Sequence, residues 1–364
     1  MIFSTDKYDI DEAVAFTKNI LPSVSRTFDL AIKFLPSRLG QPVGLAYLLC
    51  RIADTFEDSA ILSGDQRRDF LIQYAGLMDA RENYDESIVR RLKYAFPSTA
   101  LKADISRPVD NHSSILLVQN IDQVLTAVDG SAGDLKKYIF PRVREMALGM
   151  ADYTILVRDS TDRQTGDAQV NILKDEEDWD RYCYYVAGTV GHMLTDIFSD
   201  YVGFSEPTRN QLHDLGRSFG LGLQKVNVLK DAVVDTGRGI CFLPKTLLEK
   251  YSISFDRKSH ACISGDISGL VGTVIEACRK HFQDALDYIK VIPHKYLGLR
   301  MFLIVPVMLA ASTLRLFSEY PQRLLERGDL KLARKDVWSI VRKSAFCKYS
   351  NRLLLSSFNH IYPA

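Results

Sequence analysis

Four polar side chains, Gln224, Asn227, Asp231 and Asp235, recur at three- and four-residue spacing in G-L-G-L-Q-K-V-N-V-L-K-D-A-V-V-D, from Gly220 to Asp235. On a helix they fall within an arc of about 80°, while Leu223, Val226, Leu229 and Val233 occupy much of the remainder. A helix that is apolar elsewhere belongs in a core, so its carboxylate stripe is expected to face an internal cavity. The competing reading is a solvated face opposite a broad core face. A second stretch, P-V-G-L-A-Y-L-L-C-R-I-A-D-T-F-E-D from Pro42 to Asp58, sets Tyr47, Arg51, Asp54 and Asp58 on one narrow helical face. Between Pro42 and Phe56 no charged residue lies off that face. If the two helices confront each other, their carboxylates converge where water is scarce, and two such charges about 4 Å apart repel by roughly 4 kcal/mol at an effective dielectric of about 20. A cation must offset that. Carboxylates with no attendant His or Cys favour a hard ion, and Mg²⁺ completes its octahedron with waters and substrate phosphates. The inferred ligand is a diphosphate bridged to the chain through Mg²⁺.

The elements that position these residues read as helices. Asp9 to Ile20 forms a short one, followed by L-P-S-V-S-R-T-F, where Ser25, Arg26 and Thr27 offer anion-binding groups or a plain cap at a helix start. The first acid-bearing helix is expected to begin at Pro42, with proline in its first turn. A helix pair follows over Gln66 to Tyr94, then a Pro-, Ser-, Asp- and Asn-rich loop from Phe96 to Ser114. Helices resume over Ser114 to Val128 and Asp134 to Leu156, with Pro141 interrupting the latter near its start. The acids of K-D-E-E-D-W-D complement the dipole of a helix running from Arg181 to Leu194. On it Ala187, Gly188 and Gly191 leave a face without bulk, which serves close helix packing or gives room for a long ligand. His192 reads as a satisfied core histidine. After Asp235 the Gly-punctuated T-G-R-G suits a lid, with Arg238 either reaching an anion or solvated. Helical patterns then cover Ser268 to Ile289, Lys295 to Ser318 and Lys335 to Phe358.

The 364 residues, 46% hydrophobic, can bury a large core. A net charge of +1 from 46 basic and 45 acidic residues argues against nucleic acid as partner. The six cysteines lack C-x-x-C spacing and read as reduced core residues of a cytosolic protein. The amino terminus is too acidic for a signal peptide. The most apolar run, Met301 to Ser312, is too short to span a bilayer of about 30 Å, and no amphipathic anchor stands out. Strand-type alternation is scarce, and dinucleotide, P-loop, H-E-x-x-H and G-x-S-x-G motifs are absent from the sequence. The expected class is all-α, as a single domain over 1–364 with its core about 10–320 and a helical carboxyl segment 321–364.

S-R-T-F at Ser25, D-T-F-E-D at Asp54, R-E-M-A-L-G-M-A-D-Y at Arg144, E-D-W-D-R-Y-C-Y-Y-V-A-G-T-V-G at Glu177, L-Q-K-V-N-V-L-K-D-A-V-V-D at Leu223 and F-L-P at Phe242 follow in order over roughly two thirds of the chain. In these motifs the chain resembles the squalene and phytoene synthases, the head-to-head all-trans prenyl synthases, and most of all their eukaryotic squalene-forming members. The resemblance implies an all-α isoprenoid synthase fold with a central apolar cavity, and condensation of two farnesyl diphosphates. It implies Mg²⁺ on Asp54, Glu57, Asp58, Asn227, Asp231 and Asp235. Ser25, Arg26, Phe28, Tyr47, Arg51, Gln224 and Lys230 would meet the diphosphates or NADPH. Tyr182 matches the active-site tyrosine, and Val186, Ala187, Val190 and Gly191 would line the prenyl channel. Lys331, Arg334 and Lys335 loosely match a basic NADPH patch.

Three departures stand out against that family. Lys230 replaces an arginine, exchanging a bidentate fork for a point charge. Val234 replaces an acid, and the carboxyl-terminal membrane anchor of eukaryotic members is not found. The expected protein is a cytoplasmic monomer with peripheral membrane contact for product release. Rival readings are a related enzyme stopping at presqualene diphosphate, dehydrosqualene or phytoene, a terpene cyclase, and a non-catalytic helical binding protein.

Overall fold

The period-3.6 apolar pattern that runs through the chain is answered by helices almost throughout. The computed structural model describes residues 8–79, 85–96, 112–154, 171–237, 240–255 and 262–363. The chain divides into two compact units, Met1–Asp159 with Asp196–Tyr201, and Ser160–Thr195 with Val202–Ala364.

The first unit holds α1 (Ile10–Val24), α2 (Arg26–Ile32), α3 (Ser37–Glu57), α4 (Gly64–Asp79), α5 (Glu86–Lys93), α6 (His112–Gln119), α7 (Ile121–Ser131) and α8 (Lys136–Thr154). Its central element is α3, against which α1, α2, α4, α6, α7 and α8 pack. That position follows from composition, because Leu45, Ala46, Leu48, Leu49, Ile52, Ala53 and Phe56 leave α3 apolar on nearly every side. Pro42 does not open this helix. Pro36 caps it, the Leu39 and Gly40 amides bond the Pro36 carbonyl at 2.8 and 2.9 Å, and Pro42 lies buried inside. Pro141 is likewise carried inside α8 rather than ending it.

The second unit holds α9 (Glu176–Cys183), a five-residue π-turn (Tyr184–Gly188), α10 (Thr189–Val202, whose later part belongs to the first unit), α11 (Glu206–Gly237), α12 (Lys245–Lys250), α13 (Ile267–Val291), α14 (Leu297–Glu319), α15 (Pro321–Arg327), α16 (Arg334–Cys347) and α17 (Asn351–Ile361). The expected unbroken helix from Arg181 to Leu194 is therefore interrupted, since the Thr189 amide reaches back five residues to the Tyr184 carbonyl. Strand is confined, among the described residues, to two ribbons. In one, β1 (Asn171–Ile172) pairs parallel with β2 (Ile240–Cys241), and in the other β3 (Ser254–Phe255) pairs antiparallel with β4 (Cys262–Ser264).

The apolar run from Met301 to Ser312 proves to be the middle of the 23-residue α14, which is long and apolar enough to cross a membrane, with 78% of that stretch buried inside the protein. Helices α11, α13, α16 and α17 cover it. Arg300, read from sequence only as the border of that run, is fully buried. Its guanidinium donates to the carbonyls of Ile289 (2.7 Å), Ile292 (2.9 Å) and Lys348 (2.8 Å) and to Asn351 Oδ1 (2.6 Å). One fork thus ties the end of α13 to the turn between α16 and α17. All six cysteines are buried and unbridged, as their scatter suggested.

Candidate active site

The candidate residues fall into two sets, one in each unit. In the first, α3 is buried along its whole length from Pro42 to Asp58 except at Tyr47, Arg51, Asp54 and Asp58, which are half-exposed. The narrow face expected from the spacing is thus the one accessible stripe of an otherwise core helix. Asp58 caps the helix, its amide bonding the Asp54 carbonyl at 2.8 Å. Glu57 ends the helix off that stripe and is buried.

Asp54 is the most perturbed acid of the stripe. Burial pushes its carboxyl up to about 7, with Arg51 opposing the shift and the charge of Asp58 adding to it. Arg51 reaches Asp54 only at 3.8 Å and also donates to Ser114 Oγ at 3.3 Å. Asp54 is thereby held toward its neutral form, and an added cation would favour its charge. Beside them Ser25 caps α2, its Oγ accepting from the Phe28 amide at 3.1 Å. The Phe28 ring lies 5.3 Å from that of Tyr47, whose hydroxyl burial pushes up to about 12. Ser25, Phe28, Tyr47, Arg51, Asp54 and Asp58 therefore form one neighbourhood, with Arg26 at the first position of α2.

In the second unit, α11 carries Gln224, Asn227, Asp231 and Asp235 along one side. Asp235 is buried, Gln224 and Asp231 are half-exposed and Asn227 is exposed. The Lys230 ammonium lies 3.1 Å from Asn227 Oδ1 and 3.2 Å from Asp231 Oδ2, so these oxygens already converge on one cation. Among the described residues no three His, Cys, Asp or Glu side chains form a metal cage by themselves.

Tyr182 is buried at the end of α9, its ring stacked on Phe242 at 4.2 Å and 10°. Val186 and Ala187 lie in the π-turn and Val190 just beyond it, all half-exposed. For the glycines the structure selects packing over ligand space. A Cβ on Gly191 would stand 2.1 Å from the Gly216 carbonyl oxygen, and one on Gly220 2.3 Å from that of Ala187. Gly191 is thus spent on the approach of α10 to α11 rather than on a channel wall. His192 pairs with His213, Nδ1 to Nδ1 at 2.7 Å, and is half-buried. Lys331 and Arg334 are exposed around the start of α16. Arg238 and most of the loop after Phe96 lie outside the described residues.

Sequence reasoning passed over Lys225. It is buried on α11, off the polar stripe, with Nζ 2.6 Å from Asp180 and 4.8 Å from the Trp179 ring centroid. A lone lysine on an apolar helix face, with D-W-D a few dozen residues upstream, was the available signal. The pair fixes α9, and with it Tyr182, against α11.

Comparison with known proteins adds independent findings. The squalene/phytoene synthase family model matches residues 21–336. The "Botryococcus squalene synthase" of Botryococcus braunii is 28% identical over 94% of this chain and 66% of its own length. A "Probable squalene synthase" of Neurospora crassa is 26% identical over 89% of this chain and 60% of its own. The chain thus spans less than two thirds of the length of these curated relatives. Among solved structures, the complex of TcSQS with the ligand E5700 superposes with a TM-score of 0.72 at 20% identity, over 96% of this chain and 90% of that one. A dehydrosqualene synthase in complex with ligand gives 0.63 at 15%, over 94% and 98%. These likenesses establish the fold.

Proposed function

The chain belongs to the squalene/phytoene synthase family, and on that premise we propose that it condenses two farnesyl diphosphates head to head, through presqualene diphosphate, to squalene. The observation that carries the proposal is the α3 stripe, a buried helix whose accessible residues are Tyr47, Arg51, Asp54 and Asp58. Asp54 and Asp58 on α3, with Asn227, Asp231 and Asp235 on α11, would hold Mg²⁺; Glu57 is the weakest member of that set because it is buried off the stripe. The fit rests on the raised carboxyl of Asp54 and on the convergence of Asn227 and Asp231 on one ammonium. Paired carboxylates rather than a closed cage suit an ion that shares its shell with phosphate oxygens. When bound, Mg²⁺ would supply charge neutralisation of the departing diphosphate.

The side chains do the rest. Arg51, Lys230 and Gln224, together with Ser25, Arg26 and Tyr47, orient the two diphosphates and stabilise the one that leaves. Its departure makes an allylic cation, which the double bond of the other farnesyl unit attacks. Closure of the cyclopropane releases a proton to the freed diphosphate, directly or through the Tyr182 hydroxyl, which takes it up as it passes its own proton to that diphosphate, giving presqualene diphosphate. Phe28, Val186, Ala187 and Val190 keep water from the cations. Lys331 and Arg334 offer positive charge to the phosphates of NADPH, which when bound would supply the hydride of the reductive step. The water-insoluble product implies peripheral contact with a membrane, and the enzyme acts as a cytoplasmic monomer.

Mass spectrometry of the lipid formed from farnesyl diphosphate and Mg²⁺, with NADPH added or withheld, tests this. Squalene that requires NADPH supports the proposal. Presqualene diphosphate or dehydrosqualene regardless of NADPH would assign the chain to the non-reductive branch. A cyclic product, or no release of diphosphate, overturns the condensation altogether.

A further inference from the structure

The last two helices turn an unusual face to solvent. Of the nine large apolar side chains left exposed among the described residues, four stand between Trp338 and Leu353: Trp338 is 56% exposed, Phe346 70%, Tyr349 60% and Leu353 48%. Trp338, Arg342 and Phe346 follow at four-residue spacing on one side of α16, over about 12 Å of helix. Tyr349 lies in the turn, and Arg352 and Leu353 open α17. The opposite sides are packed, with Ile340, Val341, Ser344 and Cys347 of α16 and Leu354 and Phe358 of α17 buried. The pair is therefore a folded amphipathic hairpin with a second, uncovered apolar face.

Charge singles out the same place. From Val337 to Ala364 the sequence contains no Asp or Glu, while Arg342, Lys343, Lys348 and Arg352 give +4; with a chain total of +1, everything before Val337 sums to −3 (1 − 4). Arg342, Lys343 and Arg352 are exposed, and Lys348 Nζ lies 5.1 Å from the Tyr349 ring centroid.

We propose that this face of α16 and α17 docks on the surface of a bilayer that carries anionic lipid headgroups. Arg342 stands between the Trp338 and Phe346 rings, and the surplus of four basic side chains over no acid from Val337 to Ala364 is complementary to anionic phosphate. At a bilayer surface both are accommodated, the rings at headgroup depth and the long basic stems lying along them with their charges toward phosphate. The buried α14 takes no part. The inference deepens the membrane contact proposed above and rests on that reading only for its purpose. Lipid binding is measured without substrate, so its failure is separable from failure of the reaction.

The test is co-sedimentation of the full chain with phosphatidylcholine vesicles, with and without phosphatidylserine. Binding is expected to the mixed vesicles and to weaken as salt rises. Replacing Arg342, Lys343 and Arg352 together by Gln is expected to lower affinity about a hundredfold, from about fivefold per basic side chain. Trp338→Ala with Phe346→Ala is expected to lower it at least tenfold, with the fold checked by circular dichroism. The chain has two tryptophans, of which Trp179 is buried. A blue shift of emission on vesicles should therefore vanish in Trp338→Phe, which still binds. Equal binding by the triple Gln variant, or no binding by the wild type, overturns the proposal. So does a dimer in sedimentation velocity that Trp338→Ala dissolves while vesicles are ignored, which assigns the face to a second copy.

Discussion

Gly191→Ala offers the most direct check on how α10 meets α11. The added Cβ would stand 2.1 Å from the Gly216 carbonyl oxygen and 2.6 Å from its carbon, and both are backbone atoms that no rotamer change can move. Ordinary contact begins near 3.4 Å, so the helices must part by 1.3 Å (3.4 − 2.1). Overpacking of this kind costs about 1 to 3 kcal/mol, and rigid backbone places it at the upper end. Alanine returns about 1 kcal/mol of helix propensity. The net loss is about 2 kcal/mol, a fall in melting temperature of roughly 4 to 8 °C for a unit of this size. Because α11 also carries Asp231 and Asp235, a shift of this size should lower turnover by about a hundredfold. The control is Gly272→Ala on α13, where nothing lies within 4 Å of the new methyl group. It should gain about 0.5 to 1 kcal/mol and leave turnover alone. Differential scanning calorimetry and steady-state rates on both variants read the result. If Gly191→Ala melts at or above the wild type, the close crossing of these helices is wrong.

Other perturbations reach different parts of the molecule. Asp54→Asn and Asp231→Asn should each lower diphosphate release by at least about a hundredfold, or roughly 3 kcal/mol, with little change in melting; full activity in either would detach that carboxylate from the chemistry. His281 accepts or donates a bond with Ser218 at 2.8 Å and is pushed down to about 4 by burial, then by Lys225, with Lys280 adding and Asp180 and Asp284 opposing. It stays neutral when folded while the unfolded chain takes up a proton, so stability is full above pH 6.5 and is lost as pH falls toward 4, by about 2 kcal/mol at pH 5. Urea midpoints at pH 7 and pH 5 should show this, and His281→Gln should flatten it. Arg300→Lys cannot reproduce a fork that serves three carbonyls and Asn351, and should destabilise by about 3 kcal/mol or more in denaturant melts.

Much of this was legible in the sequence where residue type changes around a helix. The stripe on α3 could be read because Arg51 and Asp54 are the sole charges between Pro42 and Phe56 and share one face, and the wheel of α11 likewise set Asp231 and Asp235 apart from its valines and leucines. Features that depend on a partner element were not legible. Whether Gly191 makes room for a ligand or for a neighbour is decided by Gly216, which is distant in sequence and carries no pattern of its own. Arg300 looks like the edge of an apolar run because its acceptors are backbone carbonyls, which every residue possesses. The start of α3 at Ser37 was missed because Pro42 suits a first turn, and only the caps around Pro36 reveal that the helix was already under way.

The wide turn at Tyr184–Gly188 acts as a phase shifter. By admitting one extra residue it rotates α9 by about 100° relative to α10, and in that setting the Tyr182 ring lies flat on Phe242. Exchanging side chains within the turn leaves that angle alone, whereas removing a single residue would let an unbroken spiral form and swing the hydroxyl to another quarter of the circle. Chain length here, more than residue identity, is what variation must hold constant.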